Sequence, residues 1–133
     1  MGGQACVLYG AAEFSRNIDL AILADDANLE RLGNALAELE AEEVAIPEFR
    51  RDYLERGHAV HFRCRHEDAL GMRVDVMTKM RGVANFEELW TRRRTINWGD
   101  LSVEVMSLPD LVQAKETQRD KDWPMIRRLV ERA

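Results

Sequence analysis

Cysteine is scarce. The 133-residue chain carries two, Cys6 and Cys64, with no Cys-x-x-Cys pair. That excludes a disulfide framework and reads as two reduced thiols of a cytosolic protein. Positive charge is also lacking: 19 Lys and Arg against 24 Asp and Glu leave a net charge of −5. Such a chain is not a nucleic-acid binder working by bulk electrostatics, although one local basic pocket stays open. No apolar run approaches the roughly 20 residues of a membrane helix, and no charged start leads into an apolar signal-peptide stretch. A cytoplasmic location with no membrane partner is the expectation. Repeats, low-complexity tracts and linkers are missing as well. What is present, 46% hydrophobic and 32% charged residues, suits one soluble domain over 1–133 with a real core.

Local patterns alternate between helix and strand. A short helix is predicted from Gln4 to Tyr9, with Gly10 as its stop. A strand follows from about Ser15 to Leu23. Asp25 or Asp26 can cap the next helix, where Leu29, Leu32, Leu36 and Leu39 form a core stripe at helical spacing. Pro47 suits a first helical turn and Gly57 a position just past a helix end, so Glu48 to Arg56 is predicted helical. From His58 to Arg65, Val60, Phe62 and Cys64 share one face, and His61, Arg63 and Arg65 the other. From Met72 to Thr78, Met72, Val74 and Val76 stand apart from Arg73, Asp75 and Met77. The polar segment His66 to Gly71 joins these two runs into a hairpin. Asn85-Phe86-Glu87-Glu88 looks like a capping box for a helix reaching about Arg93. A turn at Trp98-Gly99-Asp100 precedes a strand with Leu101, Val103 and Val105 on one face. Ser107-Leu108-Pro109-Asp110 starts another helix, and Trp123 to Val130 closes the chain as an amphipathic one. Trp90, Trp98 and Trp123 are assigned to the core. Arg92 to Arg94 read as a solvated helix end that suits the dipole, with RNA or phosphate contact as the alternative.

Candidate chemistry concentrates near the start. Gly2 and Gly3 before a helix leave backbone N–H groups able to approach a phosphate closely. In Arg16-Asn17-Ile18-Asp19-Leu20-Ala21-Ile22, the apolar Ile18, Leu20 and Ile22 share one face, and Asn17 and Asp19 the other. Asp75 stands between Val74 and Val76 as Asp19 stands between Ile18 and Leu20. Both therefore project from otherwise buried strands, and carboxylates from neighbouring strands are what magnesium prefers. Arg16 can reach a phosphate or form a surface pair. In a helical 110–122 segment, Lys115, Arg119 and Asp122 share a face, as a salt-bridge ladder or as a basic wall. His58 and His61 are an odd number of residues apart on one strand, so they do not form a zinc pair.

Together these residues resemble the nucleotidyltransferase superfamily, the DNA polymerase β-like fold, and in particular its small bacterial members. That family carries Gly-Gly or Gly-Ser, a short helix, Asp-x-Asp on the next strand and a third carboxylate on a later one. Gly2-Gly3, Asp19 and Asp75 match in order, with Asn17 where the first carboxylate stands. The pattern Lys-x-x-x-Arg-x-Lys-Asp from Lys115 to Asp122 is similar to a downstream motif of the abortive-infection and toxin–antitoxin type. The resemblance implies an α+β fold, with a mixed β-sheet, helices mainly on one of its faces and helices at the C-terminus. It implies transfer of a nucleoside monophosphate from a nucleoside triphosphate to a hydroxyl of a partner protein, an RNA or a small molecule. Two magnesium ions, or manganese, would be held by Asn17, Asp19 and Asp75, with Asp19 touching both and Asp75 helping to activate the acceptor. Gly2, Gly3, Gln4, Arg16, Lys115, Arg119 and Lys121 would hold the nucleotide. The family has a strand before the glycine pair. Without it the sheet would keep an edge that invites a second copy, so a homodimer is an expectation. The alternative is a non-catalytic nucleotide-binding module of the same fold, disabled at Asn17. A neutral amide forfeits roughly 4 kcal/mol per unit charge at about 4 Å for an effective dielectric near 20.

Overall fold

A computed structural model describes residues 2–10, 16–44, 48–79 and 85–116. In chain order its elements are α1 (Gly2–Leu8), β1 (Asn17–Ala21), α2 (Asp26–Glu38), β2 (Ala41–Glu43), α3 (Arg51–Glu55), β3 (Val60–Cys64), β4 (Arg73–Met77), α4 (Phe86–Arg92), β5 (Arg94–Trp98), β6 (Leu101–Val105) and α5 (Leu108–Glu116). The protein is α+β. It divides into a central unit, Arg16–Lys79, and a flanking unit made of Met1–Ser15 with Met80–Ala133.

The central unit is a four-stranded mixed sheet in the order β1-β4-β3-β2. β1 runs parallel to β4, while β3 pairs antiparallel with both β4 and β2. The alternation in the sequence becomes two faces. Val60, Phe62, Cys64, Val74 and Val76 are buried on one, with Ile18 and Leu20 packed beside them. Leu36 of α2 and Leu54 of α3 are buried in the same cluster, so both helices cover this face. The α2 stripe is core as its spacing predicts, with Leu29, Leu32 and Leu39 packed on the cluster. Asp25 caps α2, its side chain accepting from the Asn28 N–H at 2.8 Å. Burial raises the Cys64 thiol above its ordinary pKa, which keeps it an inert core residue.

One expectation needs correction here, and one strand has no counterpart in the sequence patterns. The predicted helix over Glu48 to Arg56 shrinks to Arg51–Glu55. Its entry is extended, because Phe49 packs edge-on against Phe62 with ring centroids 5.5 Å apart, and its N–H donates to the Glu43 carboxylate. Pro47 lies outside the described residues. Gly57 does follow the helix, at φ +91°, where a side chain would be strained. Ala41–Glu43, which has little strand propensity, becomes an edge strand by pairing with β3.

In the flanking unit, Ala5, Leu89, Val105, Met106, Leu111 and Ala114 form a second buried cluster. β5 and β6 make a hairpin in which Trp98 faces Leu101, so Gly99-Asp100 is a two-residue loop. Gly99, at φ +60°, supplies the conformation a type II′ turn requires at that place. The helix after Asn85 ends at Arg92, and Arg94 opens β5 rather than ending a helix. The β-branched Thr95 and Ile96 account for the switch. Trp90 is 45% exposed, contrary to a core assignment. It stacks on Phe86 and lies under the Arg93 guanidinium, 3.8 Å from its ring centre. The Trp98 side chain and the helix predicted from Trp123 to Val130 lie outside the described residues.

The start of α5 is tied to the end of α4 by charge. Arg92 donates two hydrogen bonds to the buried Asp110 carboxylate, at 3.0 and 2.9 Å, and Ser107 Oγ donates a third at 2.7 Å. The Arg92 bonds, helped by Ser107, hold the Asp110 carboxyl below its ordinary range against desolvation, which acts the other way. A lowered folded-state pKa gives stability that is complete above the unfolded value, near 3.9, and is lost as pH falls through the folded one. Asp110→Asn should therefore unfold at lower urea than wild type at pH 7, with the gap closing below about pH 4. An equal gap at pH 7 and pH 3 would contradict the assignment. In the central unit, Leu54 is fully buried. Leu54→Ala should cost about 2–5 kcal/mol in urea unfolding, as other core leucine truncations do.

Candidate functional site

The sheet face opposite the leucine-covered core carries the polar residues of the central unit. Residues paired in register point to the same side, and Asp19 stands opposite Asp75 across the parallel β1–β4 pair. Their backbones are therefore neighbours, about 4.8 Å apart by ordinary strand spacing. On the other side of β4, Asp75 faces His61 across the antiparallel pair. Asp19, Asp75 and His61 thus form one row across three strands. The next row on the same face is Asn17, Arg73 and Arg63.

Asp75 is the best-defined member. It sits on the central strand and is 8% exposed. His61 Nδ1 lies 2.7 Å from its Oδ1. The closeness follows from the ladder. The Val44 N–H donates to the His61 carbonyl, and the Cys64 N–H donates to Met72 O. The backbone of His61 therefore turns towards β2, making His61 and Asp75 a non-hydrogen-bonded pair whose side chains come close. Arg73, two residues before Asp75 on the same strand, brings a guanidinium nitrogen to 3.8 Å from the same oxygen. Both groups address Oδ1.

Asn17, Asp19 and Asp75 are thus brought to one face, as the alternation predicts. Asn17 and Asp19 are half-buried. Arg16 is exposed at the bend before β1, and its carbonyl accepts from the Arg73 N–H at 2.9 Å. Gly2, Gly3 and Gln4 belong to the flanking unit, where the glycine pair forms the first turn of α1 instead of preceding it. The backbone of Lys115 is in α5, while its side chain and all of Arg119 and Lys121 lie outside the described residues.

His61, Arg73 and Arg63 complete the face. Alternation groups them with the polar side of their strands, yet the His61–Asp75 bond depends on the register of β3 against β4, which no single strand specifies. Two carboxylates and the Asn17 amide offer hard oxygens, the donor chemistry of magnesium, with phosphate and water completing its shell. Among the described residues, no group of three or more His, Cys, Asp or Glu side chains forms a ready-made metal cage. The oxygen set fits an ion that brings further ligands with it, and does not fit a closed protein site.

The His61–Asp75 bond has a spectroscopic signature. With Asp75 as the acceptor, the bond requires a proton on His61 Nδ1. Side-chain nitrogen NMR should show protonated Nδ1 for His61 in the wild type and its loss in Asp75→Ala. An unchanged His61 spectrum in that variant would show that the bond is absent in solution.

No protein-family model matches the sequence, and no curated protein matches it closely enough to show kinship.

Proposed function

We propose that the chain is a magnesium-dependent nucleotidyltransferase of the polymerase β-like fold, moving a nucleoside monophosphate from a triphosphate to a hydroxyl acceptor. The observation that carries this reading is the register of β1 and β4. It sets Asp19 and Asp75 side by side on the face opposite the core, with Asp75 buried and oriented by His61. The mixed sheet, with α2 and α3 on its other face, accords with that fold.

On this reading Asp19, Asp75 and the Asn17 amide oxygen would hold magnesium. When bound, the ion would neutralise triphosphate charge and favour departure of pyrophosphate. The protein groups supply position. His61 fixes Oδ1 of Asp75. The acceptor hydroxyl gives its proton to the Asp75 carboxylate as its own oxygen bonds to the α-phosphorus, and the bond from that phosphorus to the bridging oxygen of pyrophosphate breaks. Arg73 and Arg63, one row away, can pair with phosphate oxygens, and an arginine fork suits them. Gly2, Gly3, Gln4, Arg16, Lys115, Arg119 and Lys121 remain the proposed nucleotide contacts on the strength of the resemblance.

Asn17 favours a second reading. It occupies the same face as Asp19, one row away, and contributes no charge. The same fold would then bind a nucleotide without transferring it.

One experiment separates the two. The protein, Asn17→Asp and Asp75→Asn are incubated with magnesium and nucleoside triphosphates labelled at the α-phosphate, alone and with RNA or cell protein as acceptor. The enzyme reading expects label transfer by wild type, at least tenfold faster transfer by Asn17→Asp, and loss of at least a hundredfold in Asp75→Asn. Transfer only by Asn17→Asp supports the non-catalytic module. Absence of both transfer and triphosphate binding in all three rejects both readings.

A further inference from the structure

The proposed transfer chemistry leaves open which way the donor lies on the sheet. The polar face of the central unit is graded along its strands. Three successive rows cross the parallel pair β1 and β4: Asn17 with Arg73, Asp19 with Asp75, and Ala21 with Met77. β3 extends the first row with Arg63 and the second with His61. Neighbouring rows on one face stand two residues apart, about 6.6 Å along the strand. The face therefore changes from cationic through acidic to uncharged in three steps. Ala21 and Met77 of the third row are apolar and half-buried.

Within the first row, Arg63 and Arg73 meet as a like-charge pair. The Cys64 N–H donates to Met72 O, so Arg63 and Arg73 form the next, non-hydrogen-bonded pair of the ladder, the kind whose side chains stand closest. Like charges directly opposite each other destabilise a sheet. The acids in register beside them are shared with other groups. Asp75 Oδ1 lies 3.8 Å from an Arg73 nitrogen but 2.7 Å from His61 Nδ1, and Glu42, opposite Arg63 on β2, is bonded to Arg65. A phosphate bridging two guanidinium groups turns their repulsion into shared attraction.

We propose that the donor lies along the strands in one direction, its terminal phosphate between Arg63 and Arg73, its reacting phosphate at Asp19 and Asp75, and its nucleoside over Ala21 and Met77. This orientation rests on the transferase reading and adds the run of the donor to it. The reverse orientation sets the uncharged sugar and base beside two guanidinium groups, and the charged tail on Ala21 and Met77, which carry no charge. Arg63 then determines specificity. It meets only the terminal phosphate, and so selects a triphosphate over a monophosphate. Arg73 shares that contact, but its closeness to Asp75 makes Arg63 the cleaner probe.

The test is calorimetric titration of the full-length protein, in magnesium, with inorganic tripolyphosphate, nucleoside monophosphates and α,β-methylene analogues of the common nucleoside triphosphates. The analogues bind without transfer. The preferred analogue should bind wild type at least tenfold more tightly than its monophosphate. Arg63→Gln should remove that preference, losing at least tenfold for the analogue and for tripolyphosphate but less than about twofold for the monophosphate, with an unchanged melting temperature. Arg63→Lys should fall between it and wild type. Met77→Ala should show the opposite pattern, weakening the analogue about threefold and leaving tripolyphosphate unchanged. Analogue binding that either Arg63→Gln or Met77→Ala leaves intact overturns the orientation while the transferase reading stands. Failure of every analogue to bind wild type at millimolar concentration overturns both.

Discussion

A carboxylate withdrawn from water is the constraint on which the central unit turns. Asp75 lies on the inner strand β4 with neighbours on both sides, and 8% of it reaches solvent. A buried carboxylate is costly unless it is hydrogen-bonded and paired. His61 meets that need from β3, and Arg73 adds a looser charge from the same strand. The bond requires that β3 and β4 pair in one register. A slip of one residue would put the imidazole on the opposite face and bring Val60 or Phe62 out of the core. The register that buries the apolar side and the one that satisfies Asp75 are thus the same, and each side of the sheet guards the other.

The flanking unit solves a similar problem with arginine. Asp110 is as buried as Asp75, and it holds the end of α4 to the start of α5 through a two-pronged pair with Arg92. The two carboxylates differ in what surrounds them. Asp110 has both oxygens engaged by Arg92 and a further bond from Ser107, a closed arrangement suited to joining two helices. Both neighbours of Asp75 address one oxygen, and another carboxylate stands in register beside it. A saturated carboxylate supports structure, whereas on the proposed reading Asp75, with a second acid in register beside it, takes part in holding the ion.

Much of this can be read in the sequence where the determinants are local. Period-two alternation sorts Val60, Phe62, Cys64, Val74 and Val76 to the core and Asp19 and Asp75 to the other face, and the structure agrees. Caps at Asp25 and Asn85 start α2 and α4 where their side-chain chemistry predicts. Elements set by tertiary contact are less legible. Ala41–Glu43 is a strand because β3 has an edge to offer, and α3 is short because Phe49 leaves helical geometry to reach Phe62. Arg92, Arg93 and Arg94 look alike in sequence. Their distinct surroundings come from Asp110, Glu104 and Tyr9, which lie far along the chain or on another element. The meeting of His61 with Asp75 belongs to the same class, because alternation gives each residue a face but not its cross-strand neighbour.

The charge balance of the polar face bears on how an ion would arrive there. Asp19 and Asp75 supply two negative charges, while Arg73 and Arg63 stand in the adjacent row and His61 closes the first. Glu42, opposite Arg63, is already bonded to Arg65. A face built to concentrate free divalent cations would carry an excess of carboxylates, and this one is close to neutral. Magnesium alone would meet two guanidinium groups nearby. Magnesium carried on a triphosphate would present anionic oxygens to those same groups while the carboxylates take its open positions. On the proposed reading, the neutral Asn17 therefore weakens capture of the bare ion more than capture of the metal–nucleotide complex, because the phosphates bring the charge that position 17 lacks.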